Sequence, residues 1–128
     1  MSGSTINVVT DIIQTLKNID ADFETNISSS ISNVNNTSYL LYTVSNGVNL
    51  YLTFASADTS ANGTTELLVR DTSDNILYTI LFVSSNATTT GHGASNFTRP
   101  LKIPTGYDIV VRVSASAYGS CYIYGYEK

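Results

Sequence analysis

The sequence predicts a mainly β protein: an antiparallel β-sandwich of the jelly-roll or immunoglobulin-like kind, preceded by an N-terminal α-helix or short coiled coil. Three observations carry that expectation. Apolar residues recur at helical spacing up to residue 34 and at a period of two thereafter. Turn-forming residues interrupt the second part at near-regular intervals. Neutral polar residues take the place of charge: 17 Ser, 17 Thr and 12 Asn stand against six Lys and Arg, and charged residues make up only 12%. Such a composition suits polar outward faces and turns better than a helical globule. A chain of 128 residues, 42% of them hydrophobic, is long enough for one domain with its own core.

The helical stretch runs from Ile6 to Val34. Val9, Ile12, Leu16, Ile19, Phe23, Ile27, Ile31 and Val34 follow one another in steps of three and four. Val9, Leu16 and Phe23 fall at one core position of a heptad and Ile12 and Ile19 at the other. The consecutive steps of four that follow form a stutter, which relaxes a left-handed supercoil. Ser28-Ser29-Ser30 lowers helix propensity in the second half. So narrow a stripe needs a partner. The partner is expected to be another copy around a symmetry axis, a trimer being favoured, with packing on the chain's own β-domain as the alternative. The anchoring or oligomerising residues are therefore Val9, Ile12, Leu16, Ile19, Phe23 and Ile27. An Asn-rich stretch from Asn33 to Ser38 separates this segment, residues 1–36, from a β-domain over 37–128.

In the β-domain, Tyr39–Val44 and Val48–Phe54 flank Asn46-Gly47 and read as a hairpin. Thr65–Arg70 and the apolar Ile76–Val83 flank the polar turn Asp71–Asn75. A small-residue loop from Ser84 to Ser95 precedes a strand over Phe97–Ile103. Pro104-Thr105-Gly106 turns the chain into Tyr107–Val113, and Cys121–Tyr126 is the last strand. Seven or eight short strands without crossover helices exclude a parallel sheet.

Chemistry-bearing residues are sparse. His92, in Thr90-Gly91-His92-Gly93, is the one histidine and has no evident partner to orient it as a base. Cys121 is the single cysteine, which excludes an intrachain disulfide, and it reads as a small core residue. Asp71, Asp74 and Asn75 lack the length and terminal Glu of a calcium loop and read as a self-bonded turn. No phosphate loop, nucleophile elbow or carboxylate pair is recognisable, so no enzyme activity, cofactor or metal is expected. A net charge of −4 without a basic cluster argues against nucleic acid. No apolar run approaches a membrane span. The N-terminus lacks the pattern of a signal peptide, which suggests synthesis in a host cytoplasm.

Tyrosine is in excess: nine Tyr and four Phe, with no Trp. Tyr122, Tyr124 and Tyr126 alternate and are expected on one face, where they either fill an interface or stack on sugar rings. A helical stub carrying a small β-sandwich, with the Ile103-Pro104-Thr105-Gly106 turn inside Leu101–Val113, resembles the trimeric fibre and capsid-decoration proteins of tailed phages and related viruses. The resemblance implies a virion structural protein, made in the host cytoplasm, whose helical part anchors and trimerises on a capsid or tail while the sandwich faces outward. The alternatives are a carbohydrate-binding module or adhesin, and a subunit of an extracellular filament.

Overall fold

Alternation of side chains between two environments is what turns this chain into strands. The computed structural model describes residues 24–35 and 38–128. Eight antiparallel strands follow one another: β1 (Thr25–Asn35), β2 (Ser38–Thr43), β3 (Leu50–Thr59), β4 (Thr64–Arg70), β5 (Ile76–Ser84), β6 (Gly91–Ile103), β7 (Asp108–Val113) and β8 (Tyr118–Glu127). They form two four-stranded sheets, the first in the order β1-β8-β3-β6 and the second in the order β2-β7-β4-β5. Only β4 and β5 are neighbours both in sequence and in a sheet. Every other connection carries the chain from one sheet to the other, the interleaving of a jelly roll rather than of an immunoglobulin-like domain.

The core lies between the sheets. The first contributes Leu50, Leu52, Ala55, Ala57, Ile103, Cys121 and Ile123, and the second contributes Leu41, Leu67, Val69, Ile109, Val111 and Val113. At about 25 cal/mol per Å2 of apolar surface removed from water, this shared layer is the main source of stability.

The helical expectation fails where it can be checked. Residues 25–35 form β1, which pairs with β8, and Ile27 faces Gly125 while Ile31 faces Cys121. Ile27, Ile31 and Val34 pack against the core, so Ile27 is a core residue and not part of an oligomer seam. A spacing of four satisfies a period of two as well as one of 3.6, and Ser29, between the two Ile, also points inward. Its hydroxyl donates to the Leu41 carbonyl of β2 at 2.7 Å, which gives the serine run a use in a strand that it lacks in a helix. A register shift between Ile31 and Val34, with Asn33 at φ 56°, restores Val34 to the inner face. A boundary at residue 36 therefore divides two strands that share one core. Val9, Ile12, Leu16, Ile19 and Phe23 lie outside the described residues.

The expected hairpin at Asn46-Gly47 and the turn at Pro104-Thr105-Gly106 are both sheet-to-sheet corners. Asn46-Gly47 does turn the chain, with Gly47 at φ 83° and Val48 N–H facing the Ser45 carbonyl at 3.4 Å. Yet β2 pairs with β7, whereas β3 pairs with β6 and β8. The Pro104-Thr105-Gly106 turn likewise joins β6 of the first sheet to β7 of the second. The Asp71–Asn75 turn is a true hairpin. Asp71 Oδ1 accepts from the backbone N–H groups of Ser73 and Asn75, both at 2.9 Å, and these bonds hold the Asp71 carboxyl below its ordinary range. The expected loop over Ser84–Ser95 is shorter than its composition suggests, because Gly91–Ser95 belong to β6 and pair with β3.

Candidate functional site

The outer face of the first sheet gathers five of the nine tyrosines. In β8 the residues alternate: Gly119, Cys121, Ile123 and Gly125 point inward, and Tyr118, Ser120, Tyr122, Tyr124 and Tyr126 point outward. Two glycines make this packing possible. A Cβ on Gly125 would lie 2.4 Å from the Tyr51 carbonyl oxygen, and one on Gly119 would lie 2.3 Å from Thr65 Oγ1. Registration against β3 sets Tyr126 beside Tyr51 and Tyr124 beside Phe54. Tyr51 and Tyr126 stack at 5.2 Å and 14°, and Phe54 meets Tyr122 at 5.9 Å and 56°. Tyr122 and Tyr124 remain 38% and 40% exposed, so they offer open ring surface, whereas Tyr126 is largely taken up by its stack.

The same face ends in a polar depression. Asp58 of β3 sits opposite His92 of β6 on one side and Ser120 of β8 on the other. A volume of about 330 Å3 is lined by these three with Asn33, Ser60, Thr90 and Tyr118, among others. The Asp58 carboxylate Oδ1 is bonded to His92 Nδ1, Asn33 N–H donates to Ser120 Oγ at 3.0 Å, and Tyr118 N–H donates to Ser60 Oγ at 2.9 Å. His92 thus stands on a paired strand and has a partner that the sequence did not reveal. Asp58 lies 34 positions away, and only strand pairing brings the two together. The Asp58 carboxylate orients the imidazole.

The second sheet presents a different outer face. Leu40, Val110, Leu68 and Thr79 form one row across β2, β7, β4 and β5. Ion pairs flank it: Arg112 to Glu66 at 3.1 Å and Arg70 to Asp108 at 2.8 Å. Leu68 is 2% exposed and Leu40 57%, so the apolar row opens toward the β2 edge. At the opposite edge, Ile76, Leu77, Tyr78 and Phe82 of β5 are exposed.

Two interior groups complete the chemistry. The Tyr42 hydroxyl donates to Glu127 Oε1, which also accepts from Ser45 N–H at 3.0 Å, and this knot ties β8 of the first sheet to β2 of the second. Burial disfavours the Glu127 carboxylate, but the bonds from Tyr42 and Ser45 outweigh it and hold the carboxyl below its usual range. Burial and the same bond push the Tyr42 hydroxyl up to about 12. Cys121 is a buried core thiol, raised by burial to about 12, which leaves it protonated and unreactive. Among the described residues no group of three or more His, Cys, Asp or Glu could hold a metal, and no helix is long and apolar enough to cross a membrane.

Fold and faces together define a class: a jelly-roll β-domain with an aromatic outer sheet, a polar depression and an apolar edge strand. No family model matches the chain, and no curated protein matches it. Among solved structures it is similar to the extra small virus of the giant freshwater prawn Macrobrachium rosenbergii, seen as a virus-like particle. That likeness has 12% identity, covers 82% of this chain and 77% of that one, and has a TM-score of 0.39. It is also similar to procruciferin, an 11S globulin from Brassica napus, at 15% identity and a TM-score of 0.26, covering 77% of this chain and 19% of that one.

Proposed function

We propose that the protein is a non-enzymatic structural subunit of a virion, a capsid-decoration or tail-fibre protein that associates with copies of itself and attaches to a larger particle. The observation that carries this reading is the edge strand β5. It bears Ile76, Leu77, Tyr78 and Phe82 at 54%, 46%, 39% and 55% exposure, and it has no charged residue along Ile76–Ser84. Edge strands that stay free in water are blunted by charge, proline or a bulge that turns them away. β5 is bulged at Leu77 and Ile80 but carries neither charge nor proline, and so much exposed apolar side chain marks a surface that is covered in the working state. Val9, Ile12, Leu16, Ile19 and Phe23, which lie outside the described residues, have the sequence spacing of a second apolar stripe. The virion setting draws on the resemblance of an apolar stub followed by a small β-domain to fibre and decoration proteins.

Sedimentation of the full chain tests the assembly reading. A trimer mass is expected for the wild type, and Leu16→Asp, which places a charge in the seam, is expected to lower it to that of a monomer. A wild type that stays monomeric at high concentration removes the reading. Attachment is expected to depend little on salt, because apolar burial and multivalency rather than charge hold the particle.

A further inference from the structure

We infer that the outer face of the first sheet is a binding site for a neutral saccharide: the exposed rings of Tyr122 and Tyr124 carry the sugar faces, and the depression at Asp58 and His92 takes the hydroxyls of the end unit. The site is independent of the assembly reading, which rests on β5 and on the N-terminal seam.

A saccharide is amphipathic in a particular way, with C–H groups on the faces of each ring and hydroxyls around the rim. Its site must therefore set flat aromatic surface beside a mixed group of donors and acceptors. The first sheet does this along a single strand. Tyr122 and Tyr124 lie two residues apart on β8, about 7 Å along the strand, and Phe54 tilts against Tyr122 at 56° and fixes that ring. The next outward residue in the direction of the depression is Ser120, and beyond it Tyr118 closes the lining. Ring surface and polar pocket are thus continuous.

The polar groups are arranged for hydroxyls rather than for charge. The bond between Asp58 Oδ1 and His92 Nδ1 holds both side chains and leaves each one further polar atom, Oδ2 and Nε2. A carboxylate oxygen accepts from two neighbouring hydroxyls, and an imidazole nitrogen serves a third. Asn33, held at φ 56° with its N–H on Ser120 Oγ, brings a side-chain amide that both donates and accepts. Among the described residues the lining contains neither Lys nor Arg, so an anionic sugar would meet the Asp58 carboxylate without a Lys or Arg to pair with. A protein partner fits the second sheet better, where Leu40, Ile76, Leu77 and Phe82 are more apolar and more exposed than Tyr122 and Tyr124.

The experiment applies the full-length protein to an array of neutral oligosaccharides of hexoses and N-acetylhexosamines, with sialylated and sulfated counterparts of each. Saturable binding to at least one neutral glycan is expected, with at least a tenfold loss of affinity in Tyr122→Ala/Tyr124→Ala and in Asp58→Asn. Glu66→Ala, on the other sheet, is expected to bind as the wild type does. Binding to no glycan, binding only to the anionic members, or undiminished binding by both variants overturns the proposal. Should a variant fail to fold, amide shift mapping on the wild type decides. Titration with the best neutral glycan must perturb residues 54, 58, 92 and 118–124, and perturbation centred on another surface refutes the site. Subunit mass, measured alongside, is expected to be unaltered by these substitutions, so a failure of this site and a failure of the assembly reading give different results.

Discussion

The two sheets share one core yet are built on opposite plans. At the end that carries the depression, the first sheet is thin inside: Ala57, Gly91, Gly93, Gly119 and Cys121 face the core, while Tyr118 and Tyr122 stand outside. The second sheet is bulky inside, with Leu67, Val83, Val111 and Val113, and ion-paired outside. Bulk on one side meets its absence on the other. A Cβ added to Gly93 would lie 2.8 Å from a Val83 methyl, and one added to Gly119 would lie 2.9 Å from a Val113 methyl. Close backbone approach at Gly93, Gly119 and Gly125 sets how the first sheet packs, while Tyr122 and Tyr124 keep exposed ring surface on its outer side.

The strongest way to break that account is Gly125→Ala. The added methyl would fall 2.4 Å from the Tyr51 carbonyl oxygen and 3.0 Å from Leu52 Cα, both backbone atoms that cannot turn aside. A loss on the order of 3 kcal/mol is expected, as for overpacked cores, read as a lower urea midpoint. A loss below that of Tyr124→Ala would show that the rings, not the glycines, organise the sheet.

Glu127→Ala cuts the link between the sheets and is expected to cost about 2 kcal/mol, the scale for a hydrogen bond to a charged group. The same knot has a pH signature. The Glu127 pKa is lowered by folding, so its contribution is present above the ordinary carboxylate range and is lost as pH falls through the lowered value. The Tyr42 pKa is raised, so its contribution is complete below the free value of 10.0 and is lost as pH climbs toward about 12. Urea midpoints across pH should therefore fall at both ends, and the alkaline fall should shrink in Tyr42→Phe.

Thr65→Val sharpens the comparison in the other direction. Thr65 is fully buried, and among the described residues its hydroxyl has no hydrogen-bond partner where it presses on Gly119. Replacing that hydroxyl with a methyl of similar size is expected to stabilise by about 1 kcal/mol, seen as a higher melting temperature. The smallest effect is expected on the charged face. Breaking the Arg112–Glu66 pair, whose arginine is 46% exposed, should cost less than about 1 kcal/mol and less again in salt. A double-mutant cycle measures it.

Much of this architecture is legible along the chain. The switch to a period of two, the Asp71–Asn75 hairpin and the tyrosines alternating along β8 need only local rules, because the pleat fixes which residues share a face and Asp71 bonds its own turn. The depression was not legible. Asp58, His92, Ser120 and Asn33 come from four strands, and no local signal joins them. Nor could local rules separate helix from strand at Ile27 and Ile31, since a spacing of four fits both. What the sequence by itself determined is most of the strands from β2 to β8 and the side chains each turns inward, but not β1 or the first half of β6. Which sheet each strand entered was decided only by the tertiary structure. An Asn-Gly or Pro-x-Gly turn reverses the chain equally well into a hairpin or into the opposite sheet. The choice falls to burial between residues far apart in sequence, where Gly119 and Gly125 let β8 lie between β1 and β3.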